Sequence, residues 1–226
     1  SRYVDKVLVS FKESIKDFPK DKTIYTGNPR SEQIKDIEKI SKTTLGFKKD
    51  KALVIIVMGS LGSLTMTKKL KEALPLFKDK DYQVLLITGK NYYDDYKDIK
   101  LSSNVKLVPF IDNLIGLMKN TDLIVTRSGA STIAEITSIG LPAIMVPSPY
   151  VTNNHQYVNA KSLEDDGACI ILEEKDFNKD SLVNLLDKTL NDKEKLKYMK
   201  ESLLKRGVKN SSSRIYEEIL KLVRDE

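Results

Sequence analysis

The sequence predicts an α/β fold: a doubly wound, parallel, Rossmann-like sheet. Three observations lead there. Short runs of aliphatic and β-branched residues recur along the chain, and several are apolar on consecutive residues, as strands covered on both faces are. Longer amphipathic stretches separate these runs, and alternation at this spacing builds parallel βαβ units. After the last run only helical patterns remain.

Taken in order, the expected strands of the sheet are Leu53–Met58, Gln83–Thr88, Val105–Val108, Leu123–Thr126, Ala143–Val146 and Cys169–Leu172. The helices between them are expected at Leu64–Phe77, Asn113–Met118, Ser131–Ile139 and Gln156–Asp166. Terminal helices follow at Asp180–Leu190, Lys193–Lys205 and Ser212–Arg224. The first thirty residues read differently. Val7–Phe11 and Thr23–Tyr25 look like strands, but Thr26–Arg30 (TGNPR) is a turn-forming linker before a helix at Ser31–Ser41. One or two strands cannot build a core alone. Residues 1–30 are therefore expected to be the trailing segment of a preceding domain plus a linker, and residues 31–210 one domain.

Composition excludes several classes. The 226 residues are 40% apolar, too many for disorder and enough for a sizeable core. Cys169 is the only cysteine and His155 the only histidine, so neither a disulfide framework nor a Cys/His metal centre is expected. The longest apolar run, Ala52 to Met58, falls far short of the roughly 20 residues of a membrane span. Arg2, Asp5 and Lys6 interrupt anything resembling a signal peptide. The charge is +6, from 38 basic and 32 acidic residues, and only six of the basic residues are arginine. Evenly spread lysines form a solvated surface, with weak attraction to anionic membranes or phosphate ligands as the functional alternative. No basic block, aromatic ladder or known module supports nucleic-acid binding.

In an open parallel sheet, ligands bind beyond the carboxyl ends of the strands. Four loops there carry signals. Met58-Gly59-Ser60-Leu61-Gly62-Ser63 lets the backbone approach a ligand, although it is neither G-x-G-x-x-G nor a P-loop. Alternatively it is a tight turn with Ser63 as N-cap. Arg127-Ser128-Gly129-Ala130-Ser131-Thr132 precedes a helix whose N-terminus suits a phosphate. Glu135 on that helix would be repelled by a diphosphate, so it suits a neutral diol such as a ribose. Alternatively it only favours the start of its helix. The proline-broken loop from Pro147 ends in Asn153, Asn154, His155 and Gln156, which suit sugar hydroxyls or, for the asparagines, helix capping. Pro109-Phe110-Ile111-Asp112 could hold a flat base, or Phe110 and Ile111 could be core. Jointly, the four loops suit a base, a ribose, a diphosphate and a sugar.

The motifs TGNPR, VMGSLGS, VPFIDN, TRSGASTIAEI, GLPAIMVPSP and NNHQYVNAKSLEDDGACIILEEKD, in that order, resemble the C-terminal, donor-binding half of the MurG-type peptidoglycan N-acetylglucosaminyltransferases. The resemblance implies a glycosyltransferase B type C-terminal domain and no cofactor. It implies an inverting transfer of N-acetylglucosamine from UDP-N-acetylglucosamine to lipid I, giving lipid II. It assigns uracil to the main chain of Ile111, the ribose to Glu135, the diphosphate to Ala130, Ser131, Thr132 and Ser60, and the sugar to Gln156. Arg30 would face the donor from the linker. No metal is implied. The catalytic base and lipid I contacts would belong to an acceptor domain, toward which residues 211–226 are expected to pack. The enzyme would sit in the cytoplasm, peripherally on the inner, anionic face of the bacterial membrane. This chain departs from the family in three places. The linker lacks the residue usual between Pro29 and Arg30, Met58 and Leu61 replace the first and fourth residues of Gly-Gly-Ser-Gln-Gly, and asparagine stands where an acid is common near 153–154. The rival expectations are a noncatalytic nucleotide-sugar-binding subunit of a split glycosyltransferase and a lipid glycosyltransferase with another acceptor.

Overall fold

The computed structural model describes residues 3–59 and 62–224. Among the described residues run eight strands and eight α-helices: β1 (Val7–Val9), β2 (Thr23–Tyr25), α1 (Arg30–Gln33), β3 (Ala52–Val57), α2 (Leu64–Ala73), β4 (Tyr82–Ile87), β5 (Val105–Val108) and α3 (Leu114–Met118), then β6 (Leu123–Thr126), α4 (Ala130–Ile139), β7 (Ala143–Met145), α5 (His155–Asp165), β8 (Ile170–Ile171), α6 (Lys179–Asn191), α7 (Lys193–Arg206) and α8 (Ser211–Arg224).

Six strands form one parallel sheet in the order β5-β4-β3-β6-β7-β8, and β1 and β2 form a separate parallel pair. The strand order reverses direction between β3 and β6, the point at which doubly wound sheets open a crevice. Register aligns Ile87, Val57, Thr126 and Met145 across β4, β3, β6 and β7, so their carboxyl ends finish at one level. Side chains alternate between two cores. Val54 and Ile56 of β3 face α2 and α6 through Met66, Leu70 and Leu182, whereas Leu53 and Ile55 face Ile133 and Ile136 of α4 and Leu203 of α7. Double coverage explains the unbroken apolar runs in the strands.

Three expected elements come out differently. The helix expected at Ser31–Ser41 is a single turn, α1, because tertiary donors and acceptors capture its backbone. Lys119 Nζ donates to the carbonyls of Ile34 (2.6 Å) and Ile37 (2.5 Å), and the Ile40 amide bonds Gly116 O at 2.8 Å. The helix expected to reach Phe77 ends at Ala73, and Pro75 enters a 3-10 turn over Leu74–Phe77, since proline cannot continue the ladder. β8 is only two residues long at the sheet edge.

The leading segment is fastened to the sheet domain rather than loose. Glu13 Oε1 accepts from Arg206 at 2.9 Å and from Ser162 at 2.6 Å. At the linker, Gly27 takes φ 78°, and a side chain there would collide with Val208 and Ser211. Ser31 Oγ donates to Val208 O at 3.0 Å and lies 3.3 Å from Ser211 Oγ. The Ser212 amide bonds Glu32 at 2.7 Å. The linker and the start of α8 thus lie side by side. Further along, α8 leaves Tyr216, Ile219 and Val223 exposed. No helix among the described residues is long and apolar enough to cross a membrane.

Candidate functional site

A cavity of about 310 Å³ opens at the carboxyl ends of β3, β4 and β6. Val57, Ile87 and Thr126, register neighbours on three strands, form its floor. Its walls bring together Arg30, Ile111, Thr132 and Glu135, four of the residues singled out from sequence. Phe110 also lines it and is 46% exposed, which removes the core-packing reading for that ring. Lys90 Nζ stands 5.2 Å from the ring centroid, a cation–π contact at the rim. Ile111 sits half-buried just before Asn113, whose side chain caps α3 by accepting from the Gly116 amide at 2.8 Å.

Glycine opens the site on both sides of the strand switch. Gly59 takes φ 91°, and among the described residues nothing lies within 4 Å of where a Cβ would stand at Gly59 or Gly129. Gly62 is needed for a different reason: a side chain there would run into the Thr88 carbonyl and the Tyr92 ring. Ser60, expected at the diphosphate, lies outside the described residues. Gly129 is the N-cap of α4, and the first hydrogen-bonded amide of that helix is Ile133, bonded to Gly129 O at 3.0 Å. The amides of Ala130, Ser131 and Thr132 therefore precede the ladder, at the positive end of the helix. Ser131 is exposed there, whereas Ala130 also borders a small cavity behind α4.

Glu135 lies in the second turn of α4, beyond the first turn where the dipole acts, so the helix-start alternative does not hold. Its partner is Arg30: Nε donates to Oε1 at 2.8 Å, with side chains 42% and 16% exposed. The Arg30 amide in turn bonds Asn28 Oδ1 at 2.9 Å, a turn made by the linker's own asparagine. The shortened linker still brings Arg30 into the cavity.

Gln156 is not in this cavity. It sits in the first turn of α5, its Oε1 accepting from the Ser148 amide at 2.9 Å and its carbonyl from Ser128 Oγ at 2.8 Å. Asn153 and Asn154 hold φ of 53° and 49°, and Asn154 stands at the N-cap of α5 without a side-chain cap bond. His155 is exposed, with Nδ1 2.9 Å from Thr152 O. Ser63 occupies the N-cap position of α2 but does not cap it; its hydroxyl lies 3.2 Å from Thr65 Oγ1 and accepts from Arg127 at 3.3 Å.

Sequence reasoning missed the partner of Arg127. Its Nη2 donates to Glu174 Oε2 at 2.6 Å, with both side chains nearly buried. The available signal was an arginine at the end of an apolar strand, where a buried cation must find a carboxylate.

A parallel sheet with this strand order and a cavity at its switch point defines a Rossmann-type α/β domain. The chain belongs to glycosyltransferase family 28: the family's C-terminal domain matches residues 53–215. It is 39% identical over 99% of its length to a UDP-N-acetylglucosamine--N-acetylmuramyl-(pentapeptide) pyrophosphoryl-undecaprenol N-acetylglucosamine transferase of Bacillus cereus, and 37% identical over 97% to the like-named protein of Leuconostoc citreum. The chain spans 63% and 62% of those relatives. Among solved structures it resembles MurG of Acinetobacter baumannii, at TM-score 0.67 and 26% identity over 78% of this chain and 51% of that one. MnaA of S. aureus, solved with UDP, shares the fold at TM-score 0.77 and 16% identity over 97% and 60% of the two chains. The fold is that of a glycosyltransferase B type C-terminal domain.

Proposed function

We propose that this chain is the donor half of an inverting glycosyltransferase that moves N-acetylglucosamine from UDP-N-acetylglucosamine to lipid I, giving lipid II for peptidoglycan. The observation that carries this reading is the cavity at the strand switch, where Arg30, Ile111, Thr132 and Glu135 converge. Its chemistry follows the parts of a nucleotide sugar. The Ile111 main chain reads the uracil edge beside Phe110, and Glu135 accepts from the ribose diol. The amides of Ala130, Ser131 and Thr132 hold the diphosphate. Gln156, whose oxygen is engaged by Ser148, offers its NH₂ group to the sugar.

In the transfer, an acceptor hydroxyl attacks the anomeric carbon as the bond to the β-phosphate oxygen breaks, and a base takes the hydroxyl proton. The positive end of α4 stabilises the charge that builds on departing UDP. We assign the base and the lipid I contacts to an acceptor domain of the kind the longer relatives accommodate, and the exposed face of α8 to packing against it. A net charge of +6 suits a peripheral position on the anionic inner face of the membrane, in the cytoplasm.

Calorimetric titration tests the reading. The isolated chain binds UDP weakly and transfers no sugar to lipid I. Failure to bind UDP overturns the donor assignment, and transfer by the isolated chain overturns the division of labour.

A further inference from the structure

We infer that the buried Arg127–Glu174 pair sets the phosphate-facing loops in place, making both side chains positioning residues for the diphosphate without touching the nucleotide. The inference rests on the donor-site reading above.

The pair stands where the exits of four strands meet. Arg127 immediately follows β6 and leads through Ser128 and Gly129 into α4. Its Nη1 donates to the carbonyl of Val146, just past β7, at 3.1 Å. Its Nη2 donates to Ser63 at the end of the glycine loop that follows β3, at 3.3 Å, and to Glu174 Oε2 at 2.6 Å. Glu174, past β8, uses its other oxygen to accept from Thr65 in the first turn of α2 at 2.6 Å, and its carbonyl accepts from Lys69. The side chains are only 10% and 7% exposed, so water competes little for these bonds. Neither residue lines the nucleotide cavity.

The start of α2, at Ser63 and Thr65, and the loop 127–132 are thus tied through one guanidinium and one carboxylate. The uracil side of the pocket, floored by strand residues and walled by Phe110 and Ile111, has no such dependence, and Glu135 stands past the first turn of α4, held by the helix ladder and by Arg30. Loss of the tie therefore moves the diphosphate's partners and leaves the nucleoside's partners where they are. Preorganised donors lose much of their value when displaced by about 1 Å, on the order of 100-fold in catalytic settings.

The test compares UDP with uridine on the whole chain, UDP by calorimetry and uridine by chemical-shift titration. Two variants are used: Glu174→Gln, and Arg127→Met combined with Glu174→Leu, which removes both charges so that no lone ion stays buried. UDP affinity falls about ten-fold or more in both, while uridine binds as it does to the native chain. In the double variant the melting temperature recovers toward native while UDP affinity stays low, which a purely structural pair would not produce. A UDP-to-uridine ratio unchanged from native, or a parallel loss of both ligands, overturns the inference and leaves the donor-site reading standing. Unfolding of both variants also overturns it, since the pair would then determine the fold. A native chain that does not prefer UDP to uridine overturns the donor-site reading and this inference with it.

Discussion

Two arginine–glutamate pairs stand near the carboxyl ends of the same sheet, and they differ in nearly everything but chemistry. Arg30–Glu135 bridges a linker and a helix at 2.8 Å on the wall of an open cavity. Arg127–Glu174 closes at 2.6 Å beneath the loops, with little exposure to bulk water. The open pair exchanges solvent readily and leaves Glu135 able to take new partners. The buried pair is further engaged by Val146, Ser63 and Thr65. One pair is available to a ligand, and the other holds the frame the ligand meets.

Stability separates them most. Arg127→Met strands the Glu174 carboxylate in the interior and costs about 3–5 kcal/mol, whereas Arg30→Met costs less than about 1 kcal/mol. Denaturant unfolding of the two variants measures the difference; equal losses would erase the distinction between frame and site. At the open pair, ligand affinity changes without stability. Glu135→Gln keeps the shape but removes charge from the ribose hydrogen bonds, weakening UDP by about 1–2 kcal/mol with the melting point nearly unchanged. Unchanged UDP affinity with a lowered melting point would make Glu135 a purely structural residue.

A third contact, Glu13–Arg206, extends the comparison to the leading segment. Burial alone raises the Glu13 pKa, but hydrogen bonds from Ser162 and Arg206 outweigh it and hold the carboxyl below its ordinary 4.5. A depressed folded pKa means the stabilisation is fully present above the unfolded value and is lost as the pH falls through the folded one. Hydrogen exchange in β1 and β2 therefore quickens below about pH 4.5 before the central strands respond; simultaneous loss would show one cooperative unit. The smallest expected effect is none. EDTA leaves UDP affinity unchanged, because the N-terminus of α4 supplies the positive end. Loss of binding on chelation would reassign that role to a metal ion.

The sheet was legible because strands covered on both faces advertise themselves as apolar runs. β5, β6 and β2 have the expected bounds, Val105–Val108, Leu123–Thr126 and Thr23–Tyr25. The loops that meet at the cavity were legible through one rule, that ligands gather at strand carboxyl ends. Other features depended on partners far along the chain. Residues 34–41 have helical periodicity, yet Lys119 claims their carbonyls from 82 to 85 residues away. Glu174 reads as one of several acids after β8, and it finds Arg127 only because the fold sets β6, β7 and β8 side by side. The place of Gln156 was similarly hidden, since Ser148 and Ser128 decide where its carboxamide points.

The joint at Gly27 has a mechanical consequence. There the chain passes one point twice, as the linker on its way into the sheet domain and again at the start of α8, and the two passes are bonded through Ser31, Ser211, Glu32 and Ser212. A single strand of backbone acts as a swivel, free to turn about its own bonds. Two strands fastened side by side act as a leaf hinge, which bends across its width but resists twisting. Any swing of the β1–β2 segment is thereby steered along one arc, while Arg30, three residues past Gly27 on the side fastened to α8, keeps its place against Glu135.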